Sequence, residues 1–296
     1  MPIRQHHPRL ALFSLLLAGV LVGGCSQGVV QYQATPIPAD VTELFRTLNS
    51  VESDTVWIFE QGGPFHEFDP SAYDSFVHYP AREEVQFVQV HQTLTLNHDL
   101  AKRESEWQLA DLQAEVDVSV EILDRTIKHF KAQDKRVVVV GHSYGAFLLA
   151  RYLALRGPEA ADRYLLMAGR LDMQEEVVRG FLTGTAYYFP DAVTPTEVPG
   201  QDHPLFPPKT ARELMEMRIA GATGHDRYTE LLRGEDLQRV IYVYGTNDLN
   251  VGRLTDAEVA FLRSRGSTVI PIQDGDHTSM FEDPDAARTI SDALNE

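Results

Sequence analysis

The sequence predicts an α/β fold with a mostly parallel central sheet and helices on both faces. Residues 137–140 are four consecutive valines, a pattern typical of a strand that is buried on both sides in a parallel sheet. Apolar residues recur every three or four positions across residues 109–130, which predicts a long helix with one buried stripe. Other strand and helix patterns alternate along the chain, as they do in parallel sheets with connecting helices.

Two further patterns complete the predicted domain. Asp40, followed by Glu43, is expected to cap a short helix at residues 41–48. Six strands are predicted after it, at residues 55–59, 85–90, 137–140, 163–167, 240–244 and 267–272.

The alternation of strands and helices stops at about residues 173–236. Helical patterns occupy residues 173–182 and 210–220, and the loop between them is rich in proline and aromatic residues. A long irregular stretch inside a compact domain is usually functional or disordered. We therefore interpret 173–236 as an insertion within one domain at residues 51–296.

The N-terminal segment has the pattern of an export signal. Two arginines precede an apolar run at residues 10–22, which is too short to cross a bilayer as a helix. Cys25, the only cysteine, follows Val-Gly-Gly, and this stretch resembles the bacterial lipobox. The resemblance implies a lipoprotein signal peptide at residues 1–24, a tether at 25–50, and export to a membrane of the cell envelope. A plain secretory signal with an incidental cysteine is the alternative.

The charge and the motifs exclude several classes of partner. The formal net charge is −17, and loss of residues 1–24, with two arginines and no acid, makes it −19. Such a surface repels nucleic acid and anionic lipid headgroups. We therefore expect no nucleic-acid partner, and membrane attachment through the N-terminal lipid anchor. The sequence contains no HExxH, CxxC, phosphate loop or dinucleotide fingerprint, so we expect no metal and no cofactor.

The valine strand leads into Gly141-His142-Ser143-Tyr144-Gly145, and a helical pattern follows. G-x-S-x-G between a buried strand and a helix resembles the nucleophile elbow of the α/β-hydrolase superfamily. An ordinary strand-helix turn with a glycine-flanked serine is the alternative. The resemblance implies the α/β-hydrolase fold, with Ser143 as nucleophile and the insertion as a helical lid over the active site.

A serine hydroxyl is a weak nucleophile and needs a base, which a third group must orient. In the superfamily the acid and then the histidine follow the serine in chain order. The resemblance therefore assigns the base to His277, after the last predicted strand, and the acid to Asp248, after the strand before it. Asp172, one strand earlier, is the alternative acid.

Acyl transfer also requires backbone N–H donors for the developing oxyanion. The resemblance implies that Tyr144, directly after the nucleophile, supplies one donor. The second should come from Gln61-Gly62-Gly63-Pro64, which resembles the superfamily's His-Gly-Gly-Pro with Gln61 in place of His. Pro64 has no N–H, and Gly63 is our choice for the second donor.

These residues predict a serine hydrolase that cleaves the ester or thioester of a small-molecule acyl substrate through an acyl-serine. One alternative is an aminopeptidase resembling the proline iminopeptidases, in which lid carboxylates hold a substrate amine; Glu197, Glu213 and Glu216 are available. The other is a non-catalytic surface lipoprotein that uses the fold for binding. The intact set of Ser, Asp and His argues against this second alternative.

Cys25→Ser should release the protein from the membrane fraction or leave an uncleaved precursor, because a hydroxyl cannot replace the acylated thiol. The share of protein in the membrane fraction is measured by fractionation of cells. The wild type, Cys25→Ser and the neighbouring control Ser26→Ala are compared. A correctly processed Cys25→Ser protein that stays with the membranes at the wild-type level would contradict the prediction.

Overall fold

A seven-stranded sheet is the centre of the fold. The computed structural model describes residues 32–103, 106–199 and 209–296, and residues 34–296 form one compact unit. The predicted signal peptide and Cys25 lie outside the described residues, as do residues 200–208 of the insertion.

Nine strands occur in the described chain, and seven of them form the main sheet. In chain order they are β1 (Phe45–Thr47), β2 (Thr55–Glu60), β3 (Gln86–Val90), β4 (Arg136–His142), β5 (Arg163–Met167), β6 (Tyr187–Tyr188), β7 (Thr196–Glu197), β8 (Val240–Gly245) and β9 (Thr268–Ile272). The main sheet has the order β1-β3-β2-β4-β5-β8-β9, and only its β1-β3 pair is antiparallel. The predicted α/β class with a mostly parallel sheet is confirmed.

The helices pack on the sheet or belong to the insertion. They are α1 (Thr93–Leu96), α2 (Leu109–Lys131), α3 (Tyr144–Arg156), α4 (Glu175–Thr183), α5 (Ala211–Thr223), α6 (Tyr228–Leu231), α7 (Asp256–Ser264), α8 (Ser279–Glu282) and α9 (Pro284–Asn295). In the part of the chain described, none of them is long and apolar enough to span a bilayer.

The valines of β4 show how the sheet separates two cores. Val137 and Val139 belong to the core formed with α2 and α3, whereas Val138 and Val140 belong to the core formed with α8 and α9. All four are at most 1% exposed. The run of valines therefore fills both faces of a central parallel strand, as the sequence predicts.

The helix predicted at residues 41–48 is wrong in its second half. A 3-10 helix spans Val41–Leu44, and Asp40 caps it by accepting the N–H of Thr42 at 2.9 Å. The chain then extends into β1, because it pairs with β3 at the sheet edge and the ring of Phe45 packs on that of Phe130.

The insertion also contains the antiparallel pair β6-β7, whose two-residue strands are too short to give a sequence pattern.

Glu60, the last residue of β2, is an acid in the core. Its side chain is fully buried, and Gln92 Nε2 donates to its Oε2 at 3.3 Å. Its Oε1 has no hydrogen-bond partner among the described residues. Burial raises the pKa of the Glu60 carboxyl well above its usual value of 4.5. The folded chain therefore keeps a proton that the unfolded chain releases as the pH rises through that value.

Glu60→Gln should stabilise the protein by an amount that increases with pH. Below about pH 4 the wild-type carboxyl is protonated in both states, so the substitution changes little. At higher pH the unfolded wild-type chain loses its proton first, which lowers wild-type stability, whereas glutamine has no proton to lose. Thermal unfolding from about pH 4 to about pH 8 should show a midpoint difference that widens with pH. A constant difference, or an equal effect of the exposed control Glu52→Gln, would contradict this.

Candidate active site

Ser143 lies on a strained turn between β4 and α3. Its φ of 54° and ψ of −118° are unusual for a residue with a side chain. A Cβ on Gly145 would overlap the carbonyl oxygen of Glu60, and a Cβ on Gly141 would lie 2.5 Å from the carbonyl oxygen of Gly145. Both flanking glycines are therefore required by close backbone approach, which is the geometry that the G-x-S-x-G pattern predicts.

His277 and Asp248 form a hydrogen-bonded pair on the loops after β9 and β8. His277 Nδ1 lies 2.8 Å from Asp248 Oδ2, and the side chain of Asp248 is 1% exposed. Asp248 Oδ1 accepts the backbone N–H groups of Asn250 at 2.8 Å and Val251 at 3.2 Å. A carboxylate held in this way assigns the proton to His277 Nδ1 and leaves Nε2 as the basic nitrogen.

The two loops that carry this pair pack closely against each other. A Cβ on Gly245, the last residue of β8, would overlap the carbonyl oxygens of Gly275 and Asp276. The N–H of Asn247 donates to the carbonyl of Gly275 at 2.8 Å. Because β8 and β9 are parallel neighbours, their carboxyl ends place Asp248 beside His277.

His142 makes a contact between the turn at Ser143 and His277. Its Nε2 lies 2.9 Å from the carbonyl oxygen of His277, and the two imidazole centroids are 4.9 Å apart. In the described chain, no hydrogen bond joins the hydroxyl of Ser143 to His277. Such bonds are often long in ligand-free enzymes and tighten with substrate. Nothing in the sequence indicates the His142 contact, because the motif leaves this position free.

Asp172, the alternative acid, makes a different set of contacts. Its carboxylate accepts from Thr229 Oγ1 at 2.6 Å and forms an ion pair with Arg227 at 3.0 Å. Its backbone N–H donates to Glu258 Oε1 at 3.0 Å, and so does that of Leu171, at 2.9 Å. Asp172 therefore ties the start of the insertion to its end, and no hydrogen bond joins it to His277 in the described residues.

The loop after β2 lies against Ser143. A Cβ on Gly62 would lie 3.3 Å from Ser143 Cβ, so the backbone of this loop passes beside the serine side chain. Gly63 has a φ of 120°, and a Cβ there would overlap the backbone nitrogen of Phe65. Tyr144 is the first residue of α3, and an N–H at that position has no partner within its helix.

Gln61 determines the path of this loop through its side chain. Its Nε2 donates to the carbonyl of Glu67 at 2.8 Å, and its Oε1 accepts the N–H of Asp69 at 2.7 Å and a hydrogen bond from Gln89 Nε2. The side chain is almost fully buried. Gln61, which departs from the superfamily's histidine, therefore connects the two ends of the loop, a role that the sequence does not reveal.

A cavity of about 530 Å³ separates this loop from the start of α5. Glu213 and Glu216, two of the three carboxylates that could hold a substrate amine, line it, whereas Glu197 lies on β7. Glu216 Oε1 is 3.0 Å from Nδ1 of the buried His66, and Glu213 is used in the capping box of α5. Within the described residues, no cluster of three or more His, Cys, Asp or Glu is arranged to hold a metal ion.

Comparisons with known proteins agree with this fold. A family model described as "Alpha/beta hydrolase family" matches residues 62–288. The chain is similar to MGS-M2, an alpha/beta hydrolase enzyme from a Medee basin deep-sea metagenome library, with 14% identity and a TM-score of 0.54 over 85% of this chain and 94% of that one. No protein in the curated set matches the sequence.

Two further solved structures are similar at the same level. One is of the metagenome-derived lipolytic enzymes LipS and LipT, with 13% identity and a TM-score of 0.53 over 86% of this chain and 98% of that one. The other is a bromoperoxidase from Bacillus anthracis, with 12% identity and a TM-score of 0.53 over 85% and 95%. At these identities the likeness shows the fold alone.

Gln61→Leu should loosen the loop at residues 62–69, because leucine fills a similar volume but makes none of the three hydrogen bonds. We expect faster hydrogen exchange of the Asp69 amide and a loss of about 1–3 kcal/mol in the free energy of unfolding. Hydrogen exchange measured by mass spectrometry tests the loop, and urea unfolding tests the stability. The exposed Gln133→Leu is the control for both measurements. Wild-type protection of residues 67–69 in Gln61→Leu would contradict the assignment.

Proposed function

Because the chain belongs to the alpha/beta hydrolase family, we propose that it is a serine hydrolase that cleaves a carboxylic ester or thioester through an acyl-serine. The observation that carries the proposal is the 2.8 Å hydrogen bond between His277 and the buried Asp248. These residues follow β9 and β8, and His142 contacts His277 directly before Ser143. Family membership supports hydrolase activity broadly, and Ser143, Asp248 and His277 supply the specific chemistry.

The proposed reaction has two steps. His277 Nε2 takes the proton of Ser143 Oγ as the oxygen attacks the substrate carbonyl, and Asp248 stabilises the imidazolium. The N–H groups of Tyr144 and Gly63 donate to the oxyanion of the tetrahedral intermediate. The intermediate collapses, the C–O or C–S bond breaks, and His277 returns the proton to the leaving alcohol or thiol. Water, activated by His277, then releases the acid from Ser143.

The proposed location of this activity rests on the N-terminal sequence. We propose that the mature protein begins at an acylated Cys25 and faces its substrate at a membrane of the cell envelope. Support comes from the lipobox-like stretch and from the acidic composition, which favours an acyl anchor over a basic surface patch.

An aminopeptidase is the second candidate. The observation in its favour is that Glu213 and Glu216 line the cavity beside the loop that contains Gly63, since carboxylates that face a cavity attract a substrate ammonium group. A panel of acyl esters and amino-acid amides separates the two activities, because only an aminopeptidase should require a free α-amine.

Labelling with a fluorophosphonate tests the nucleophile. The wild-type protein should form a covalent adduct at Ser143, and Ser143→Ala, which keeps the fold but has no hydroxyl, should form none. Absence of label on the folded wild type, together with no hydrolysis of any ester, would favour the non-catalytic binding protein.

Asp248→Asn should lower turnover of a small acetyl ester by about 10⁴-fold, because the amide favours the wrong tautomer of His277. Asp172→Asn is the matched control, and it should keep most activity, since its contacts are with Thr229 and Arg227. Steady-state kinetics on folded protein measure both. The opposite order of losses would move the acid to Asp172.

A further inference from the structure

His142 lies between the two halves of the proposed site and is not one of the reacting groups. It ends β4, directly before Ser143. The centroid of its ring is 4.9 Å from that of His277 and 4.8 Å from that of Phe281. A Cβ on Gly62 would lie 3.6 Å from His142 Nδ1. The ring therefore contacts the base on one side and the proposed oxyanion loop on the other.

The hydrogen bond to His277 assigns the tautomer of His142. A carbonyl oxygen can only accept, so His142 Nε2, 2.9 Å from the carbonyl oxygen of His277, carries the proton. Burial, with a smaller effect of His277, lowers the pKa of His142 to about 4, and the more weakly acting carboxylates of Asp248 and Asp69 do not reverse this. The ring is therefore neutral under the conditions in which His277 acts as a base.

This hydrogen bond joins the end of β4, next to Ser143, to the loop at residues 273–282, which contains His277. Among the residues described, no other hydrogen bond connects residues 141–156 with the loop at 273–282. Other hydrogen bonds hold the loop from elsewhere: Asp248 binds His277 Nδ1, Asn247 donates to the carbonyl of Gly275, and the hydroxyl of Tyr79 donates to the carbonyl of Met280 at 2.8 Å. His142 is therefore placed to fix the distance of His277 from Ser143.

We infer that His142 is a positioning residue whose Nε2–H holds the main chain of His277 against the nucleophile turn. The inference rests on the proposed serine hydrolase function, and it assigns no proton transfer to His142 itself. A misplacement of about 1 Å can reduce catalysis about 10²-fold. Loss of this hydrogen bond should therefore slow the chemical step and leave substrate binding nearly unchanged.

Two substitutions distinguish the role of the Nε2–H donor of His142 from the role of its aromatic ring. His142→Phe keeps an aromatic ring against Phe281 and removes the donor, whereas His142→Gln provides an amide N–H with a similar reach. On one acetyl ester, kcat of His142→Phe should fall about 10- to 100-fold with KM nearly unchanged, and His142→Gln should recover most of the loss. The rate of labelling by a fluorophosphonate should fall in parallel, because that reaction needs the same proton transfer.

A control and a structural readout accompany the kinetics. His129→Phe alters a histidine on α2 that packs on Phe45 and Phe130, and it should keep wild-type rates. Circular dichroism and thermal unfolding select folded proteins. In ¹⁵N-labelled protein, the signal of His277 Nδ1–H should weaken through exchange in His142→Phe and persist in His142→Gln.

Three results would overturn the inference: wild-type kcat in His142→Phe, an equal loss in both variants, or an unchanged His277 Nδ1–H signal in His142→Phe. The signal tests the inference whether or not the protein hydrolyses the chosen ester. Failure of the wild type to react with fluorophosphonates or esters would instead contradict the proposed function, so the two failures are distinguishable.

Discussion

The close backbone approach at the carboxyl end of β4 is the constraint on which the site depends. Gly145 passes so near the carbonyl of Glu60 that no Cβ fits, and Gly141 is similarly close to Gly145. The chain turns from strand to helix here with Ser143 at a positive φ, a conformation that is rare for a residue with a side chain. The same approach brings the loop after β2, beginning at Gly62, against Ser143. One packing constraint therefore places both the hydroxyl of Ser143 and the proposed oxyanion donors.

Buried polar side chains give the loops around this turn their shape. Loops have no strand ladder to satisfy their backbone groups, so side chains must supply partners. Gln61 joins both ends of the loop after β2, Asp248 accepts two N–H groups of its own loop, and Glu258 accepts those of Leu171 and Asp172. Each side chain fixes a loop by satisfying groups that burial would otherwise leave unpaired. The proposed acyl transfer depends on such preorganisation.

The charge near the nucleophile differs from that of the whole chain. The formal charge is −17, yet burial raises the pKa of Glu60 and lowers that of His142. Both shifts favour the neutral form of the group. Glu60 pairs with Gly141 in the sheet, two residues before Ser143, and His142 directly precedes Ser143. The side chain of Asp248 is hydrogen-bonded to His277 Nδ1, and in the proposed reaction it stabilises the imidazolium. In the proposed reaction, a neutral environment beneath Ser143 avoids repulsion of the oxyanion.

The sequence by itself predicted six of the seven strands of the main sheet and the long helix α2, because the valines of β4 and the apolar stripe of α2 indicate burial of local segments. The resemblance to the α/β-hydrolase superfamily also indicated Ser143, Asp248 and His277, and the geometry brings the last two into contact, while their catalytic roles stay predictions. Only the tertiary structure decided the extended path of residues 45–47, the use of Gln61 to connect a loop and the contact of His142 with His277. These depend on partners distant in sequence, and a single residue carries no periodic signal that identifies such a partner.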